Sequence, residues 1–131
     1  MAESAPLASE AEIACLAELK SGSHIEETLD PEDDQFLSDA TLLRFVRARD
    51  ANVEKAAKMI NACIKWRKEY KPYKITYDDV SGILSLRTVF ILGHCKRGFP
   101  VMYMTPGAKN PYDADMRVSL MVYLLEETLR L

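Results

Sequence analysis

The sequence predicts a mixed α and β fold in which a helical module comes first and a strand hairpin with one long helix follows. Three observations carry that expectation. From Asp39 to Tyr70, apolar residues recur at three- and four-residue intervals behind residues suited to capping helices. Val89 to Leu92 and Pro100 to Thr105 are β-rich apolar runs separated by a turn ending in Gly98. From Asp113 onward a helical wheel is apolar on nearly every side.

Residues 1–7 read as a frayed end. Ser9 and Glu12 have the spacing of a capping box ahead of Ile13, Leu16, Ala17 and Leu19, which predicts a short helix over Glu10 to Lys20 that stops at Ser21, Gly22 and Ser23. The acidic stretch from Glu26 to Asp34 contains Pro31 and little apolar periodicity, so it reads as a loop or linker that need not fold firmly. Asp39 is the expected N-cap of a helix whose apolar face is Leu42, Leu43, Phe45 and Val46, with Arg44, Arg47 and Arg49 on its flanks. Asn52 is the expected cap of a longer helix ending near Tyr70, built on Val53, Ala56, Ala57, Ile60, Cys63 and Ile64.

A second row, Met59, Cys63, Trp66 and Tyr70, predicts that this longer helix packs on two partners. Leu43, Phe45, Ile60, Ile64 and Trp66 form the expected core, with Trp66 as a buried anchor. Lys65, Arg67, Lys68, Lys71 and Lys74 make a basic cluster ending at Pro72, and its plainest reading is a solvated face. Thr76 or Asp78 can cap a short helix carrying Val80, Ile83 and Leu84, weakened by Gly82. The two strands are apolar at successive positions, so both faces of the hairpin are expected to be covered.

The run Thr41-Leu-Leu-Arg-Phe-Val-Arg-Ala-Arg49, then Val53-Glu-Lys-Ala-Ala57 and Lys65-Trp-Arg-Lys68, resembles the helical N-terminal module of the CRAL-TRIO lipid-binding proteins, in the branch of the phosphatidylinositol-transfer proteins. The stretch from Val89 to Gly107, with Gly98-Phe99-Pro100 in its turn, resembles the opening hairpin of that family's α/β lipid-binding domain. The resemblance places the helical module over 36–74 and an incomplete lipid-binding domain over 75–131, behind an acidic leader with a short helix and linker over 1–35 that it does not cover. It also implies that further βα units would complete the sheet and pocket, so the chain reads as a truncated product or fragment. By the same resemblance Arg49 matches an arginine directed at the inositol phosphate, a role its planar guanidinium suits. A helix C-terminus accounts for a cation there equally well. Ile91 and Met102 stand where some members place tyrosines toward phosphatidylcholine, and with Tyr103 and Met104 they are the lipid-facing candidates.

Composition bounds the rest. At 48% apolar and 28% charged, the 131 residues suit an ordinary soluble globular chain rather than a disordered one. Cys15, Cys63 and Cys95 are odd in number and widely spaced, which argues against a disulfide framework or zinc site and for a reducing, cytosolic setting. No metal or other cofactor is expected. Residues 1–39 carry eleven acids and one lysine, whereas 40–131 carry sixteen bases and nine acids, so a net -10 leader precedes a net +7 body. Such a body suits anionic phospholipid surfaces, with Lys65, Lys68, Lys71 and Lys74 as the basic patch, and the leader can screen or compete for that surface. His94 and Cys95 are adjacent on extended backbone and point apart, and no other nucleophile and base or P-loop pattern is present, so no enzyme is expected. The aromatics follow the helical stripe and make no stacking platform for nucleic acid.

The expected function is therefore phospholipid binding or transfer of the phosphatidylinositol-transfer type, for phosphatidylinositol or phosphatidylcholine, by a cytoplasmic protein peripheral on intracellular membranes. Self-association through an unfinished sheet belongs to that reading. The alternative is a helical protein-interaction module, or a regulatory truncated form without lipid transfer.

Overall fold

The computed structural model describes residues 7–130, so the expected fraying of residues 1–6 lies outside them. They form two compact units, one over 7–71 and one over 72–130.

The first unit is a three-helix module. Helix α1 (Glu10–Ser21) starts on the expected capping box, with Ser9 Oγ accepting from the Glu12 N–H at 3.2 Å and Glu12 Oε2 accepting from the Ser9 N–H at 3.0 Å. Helix α2 (Asp39–Ala48) is capped by Ser38, whose hydroxyl accepts from the Thr41 N–H, and not by Asp39. Asp39 instead lies in the first turn, where its charge meets the helix dipole and Lys20 Nζ at 2.9 Å. Helix α3 (Val53–Tyr70) is capped by Asn52 as expected, through a 2.9 Å bond to the Lys55 N–H. It closes on Lys71 in the left-handed region, and Pro72 bars further helix. The α2–α3 link turns through two non-glycine residues at positive φ, Asp50 and Ala51.

Cys15 and Leu19 of α1, Leu42 and Val46 of α2, and Ala56, Ala57, Ile60 and Ile64 of α3 make its core. The alanines keep that face of α3 low, so the neighbouring helices approach closely. Two expectations change here. Leu42 and Val46, with Thr41, are the buried residues of α2, whereas Leu43 and Phe45 are half-buried. Trp66 is not a core anchor: it is 41% exposed and stacks on Tyr70, ring centroids 5.0 Å apart. The inward stripe of α3 continues from Ile60 and Ile64 to Arg67, and Trp66, one residue earlier, is rotated about 100° away from it.

Arg67 is buried because the acidic stretch folds over it. Residues Pro31–Phe36 form a 3₁₀ segment that places Asp33 against the guanidinium, with Nε donating at 2.6 Å and Nη2 at 2.9 Å, while the Phe36 ring covers the cation at 3.8 Å. Upstream, Asn61 of α3 accepts from the N–H groups of Glu26 and Glu27 and donates to the His24 carbonyl. The stretch read as a loose linker is thus a strap fastened along α3, with Ile25 and Leu29 on the edge of the core.

In the second unit, a short 3₁₀ turn (Pro72–Lys74) leads to α4 (Tyr77–Leu84), capped by Thr76 in a box with Asp79. Gly82, read as a weak point, has a steric reason: a Cβ there would stand 2.6 Å from the Tyr112 hydroxyl, so any larger residue would push that ring from its place on α4. Strands β1 (Val89–His94) and β2 (Pro100–Met104) pair antiparallel as predicted, with Ile91 opposite Met102 and Phe90 opposite Tyr103. A bulge between Ile91 and Gly93 leaves Leu92 as the extra residue. The turn closes through Gly98 N–H to Cys95 O at 2.9 Å, with Gly98 at φ +83. Helix α5 (Ala114–Arg130) starts on Asp113, whose carboxylate accepts from the Met116 N–H.

Val80 and Ile83 of α4 and Leu120 and Leu124 of α5 form this unit's core, against which Val89, Ile91 and Met102 pack. One face of the hairpin is therefore covered and the other is open, contrary to the expectation of two covered faces. Leu92 is 64% and Tyr103 52% exposed. Helix α5 likewise buries one side and leaves Val118, Leu125 and Leu129 exposed, rather than being buried on most sides.

Candidate functional site

The sequence points to Arg49, to a lysine cluster and to a set on the hairpin, and the structure gives each a distinct setting. Arg49 is the C-cap residue of α2 and is exposed, and its Nη1 donates to the Ala48 carbonyl at 3.3 Å. That contact places the cation at the negative end of the α2 dipole. Lys65 lies on α3 about 18 Å from the helix start by the helical rise alone, so Arg49 and the lysine cluster are separate places on the surface.

Within the cluster, Lys65 is exposed, whereas two of its companions already face carboxylates. Lys71 Nζ lies 3.1 Å from Asp30 and Lys68 Nζ 3.8 Å from Glu27, both acids belonging to the strap. Arg47 meets Glu12 at 3.4 Å. The acids of the leader thus sit against the bases of the body, which is how the opposed charges of the two stretches are accommodated. Lys74 is exposed and belongs to the second unit. Asp33, Asn61 and Phe36, which organise this face, were not singled out in the sequence. Arg67 itself carried a signal: a guanidinium continuing the apolar stripe of Ile60 and Ile64 requires a buried acid.

In the second unit, Ile91 and Met102 pair across the strands on the side packed against α5, and Tyr103 and Met104 are exposed. The Phe90 and Tyr103 rings lie side by side, centroids 5.5 Å apart. Along β1 runs a cleft of about 360 Å³, with Leu84, Phe90, Ile91 and Leu124 as apolar wall and Tyr77, Arg87, Tyr123 and Glu127 as polar rim. Arg87 adopts φ +53 and lays its guanidinium over Phe90 at 4.3 Å. Burial, and then the charge of Glu127, push the Tyr123 hydroxyl above its ordinary pKa, so it remains a neutral hydrogen-bonding group. The cleft couples an apolar wall to one cation and one anion, a lining suited to part of an amphiphile.

A small helical module with a fastened strap, followed by an α/β unit whose sheet is apolar on its open face, defines a class of binding fold rather than a particular chemistry. Residues 16–62 match the CRAL/TRIO N-terminal domain. Patellin-3 of Arabidopsis thaliana is 41% identical over 76 residues, covering 58% of this chain and 15% of its own length. The SEC14 cytosolic factor of Candida glabrata is 38% identical over 78 residues, 56% of this chain and 26% of its own. The phosphatidylinositol/phosphatidylcholine transfer protein SFH13 of Arabidopsis thaliana is 32% identical over 87 residues, 63% of this chain and 13% of its own. The N-terminal domain of the CRAL-TRIO family is thus matched over residues 16–62, and the similarity to patellin and SEC14-type proteins supports that family in the branch of the phosphatidylinositol-transfer proteins. The chain spans about a quarter or less of the length of these relatives.

Proposed function

We infer that the chain contributes to phospholipid binding and transfer between membranes, a binding role and not a catalytic one, with phosphatidylinositol or phosphatidylcholine as the lipid. The observation that carries this reading is the hairpin: Phe90, Leu92 and Tyr103 keep an apolar surface open on one face while the other rests on α4 and α5. A sheet face of that kind suits acyl chains better than water. Tyr103 and Met104 are the accessible members of the lipid-facing set, and Ile91 enters it through the cleft. Arg49 is the candidate for a lipid phosphate, which its guanidinium can hold by two parallel hydrogen bonds. Lys65, Lys68, Lys71 and Lys74 are the candidate contacts with an anionic membrane, Lys68 and Lys71 only as their strap acids release them. No helix of the described residues is long and apolar enough to cross a bilayer, and peripheral attachment to intracellular membranes from the cytoplasm suits this arrangement.

A pocket for two acyl chains needs apolar walls on every side. The described residues offer one hairpin and a helix with Val118, Leu125 and Leu129 exposed, a surface suited to self-association through the open sheet. Tested alone in a vesicle-to-vesicle assay with labelled phosphatidylinositol and phosphatidylcholine, this chain is expected to move neither lipid and to scatter light as an associated species. A form extended to the length of the relatives is expected to transfer. A monodisperse monomer that transfers either lipid at the extended form's rate would overturn the account of the pocket. An extended form that binds neither lipid would overturn the lipid reading.

A further inference from the structure

The turn that follows α4 closes on a residue its backbone does not favour. Arg87 donates its N–H to the Leu84 carbonyl at 3.0 Å, and it does so at φ +53, where glycine is the usual choice after a helix. A side chain kept at such a position has a steric cost to offset. That side chain lies over the Phe90 ring at 4.3 Å on the rim of the cleft along β1, and it makes no hydrogen bond or ion pair among the described residues. A contact with a ring supplies no acceptor oxygen, so the guanidinium's fork of N–H groups stays open to one.

The lining selects the acceptor. Among the described residues that line the cleft, Arg87 is the one cation, and the one carboxylate, Glu127, is already held by Arg130 at 2.6 Å. The charge of Glu127 is thus answered within α5, which leaves the single charge of Arg87 to be met by a ligand. A planar carboxylate brings one charge and fits the fork by two parallel bonds, whereas a phosphate monoester would bring nearly two charges toward Glu127. The Tyr77 and Tyr123 hydroxyls stand on the same rim, and Tyr123 stays neutral and able to donate. Leu84, Ile91 and Leu124 supply an apolar wall, and at about 360 Å³ the cleft is small for a ligand pocket, which suits one short chain rather than the two of a phospholipid. We propose that this cleft binds a free fatty acid, its carboxylate on Arg87 and the two tyrosine hydroxyls and its chain along Leu84, Ile91 and Leu124. The proposal rests on the lipid reading above only in taking an amphiphile as ligand; neither the open face of the hairpin nor Arg49 takes part.

Equilibrium dialysis of the intact chain at neutral pH, below micelle-forming concentrations, measures the affinity for labelled dodecanoate. Dodecyl phosphate, dodecanol and dodecyltrimethylammonium carry the same tail on other heads. Dodecanoate is expected to bind tightest of the four. Equal affinity for dodecanol would show attraction to apolar surface alone and overturns the proposal, as does tighter binding of the phosphate or the ammonium. Arg87→Gly removes the fork and relieves the backbone, so it is expected to weaken dodecanoate binding about ten- to hundredfold, the range for hydrogen bonds to a charged group, with no fall in melting temperature. Arg87→Lys, which keeps the charge without the planar fork, is expected to recover part of that affinity. Undiminished binding by Arg87→Gly overturns the assignment. So does a melting temperature that falls in step with affinity, which would make Arg87 a structural residue of the turn. Failure of the extended form to bind either phospholipid leaves this dialysis unchanged, and a failed dialysis leaves the transfer assay unchanged, so the two readings fail separately.

Discussion

The cysteines show how far neighbouring groups divide one residue type. Cys95 is exposed in the hairpin turn, and hydrogen bonds from the backbone at Phe99 and Arg97, with the Arg97 charge, draw its thiol below the ordinary value. Cys15 is buried in the first core, where desolvation and then Glu18 push its thiol up. Mass spectrometry after brief alkylation at neutral pH is expected to find Cys95 labelled first and Cys15 last; equal rates would contradict both environments. Asp79 supplies a pH dependence. Its hydrogen bonds from Thr76 lower its pKa from 3.8, so the stabilisation from the α4 cap is complete above that value and is lost as pH falls through the lowered folded pKa. Asp79→Asn is expected to flatten the acid limb of a melting-temperature profile below about pH 4 and to leave its shape unchanged near neutrality. At Trp66, half-exposed and stacked, replacement by alanine is expected to cost about 1 kcal/mol. Ile60→Ala, which opens a cavity among α1, α2 and α3, is expected to cost about 2–5 kcal/mol. Urea melts that reverse this order would return Trp66 to the core.

At the scale of the element, the strap over α3 depends most on Asp33 and Arg67, whose side chains are only 8% and 4% exposed. Removing one partner strands the other's charge away from water, so Asp33→Ala is expected to cost about 3–5 kcal/mol. Glu27→Gln acts on a 3.8 Å pair that is 40% exposed on both sides and is expected to cost under about 1 kcal/mol. Leucine at Asp33 together with methionine at Arg67 is expected to lose less than Asp33→Ala alone, since no unpaired charge remains. A double variant as unstable as the single one, measured by urea unfolding, would show that the strap is held by something other than this pair.

Across the whole chain, what was legible in the sequence is what nearest neighbours decide. The capping box at Ser9, the Asn52 cap, the turn at Gly98 and the helix after Asp113 all follow from groups three or four residues apart. The family was legible for a related reason, because its signature lies in one continuous helical stretch, most of it within residues 16–62. What was not legible depends on partners distant in sequence. Whether Trp66 or Arg67 turns inward is decided by Asp33, 34 residues before Arg67, and the fastening of the strap by Asn61, a polar residue that periodicity passes over. The open hairpin face escaped the same way: two apolar rows announce that both sides avoid water, but not that α4 and α5 cover only one. Among the site residues, Lys65 and Lys74 are exposed, each in its own unit, and the pairing of Lys68 and Lys71 with strap acids needed the fold to be seen.

The sequence distance between the strap and its anchors also sets an order of assembly. Its contacts with α3 join residues 34 to 41 positions apart, from Asp33 with Arg67 to Asp30 with Lys71. A chain made from its N-terminus therefore has the acidic stretch synthesised well before anything exists to receive it. Helix α1 can form locally on its capping box, but the module cannot close until Lys71 has emerged. Through that interval the eleven acids of residues 1–39 repel one another, which keeps the nascent segment extended and deters premature collapse. The charge that looks excessive in the finished sequence is matched to a waiting time in its synthesis.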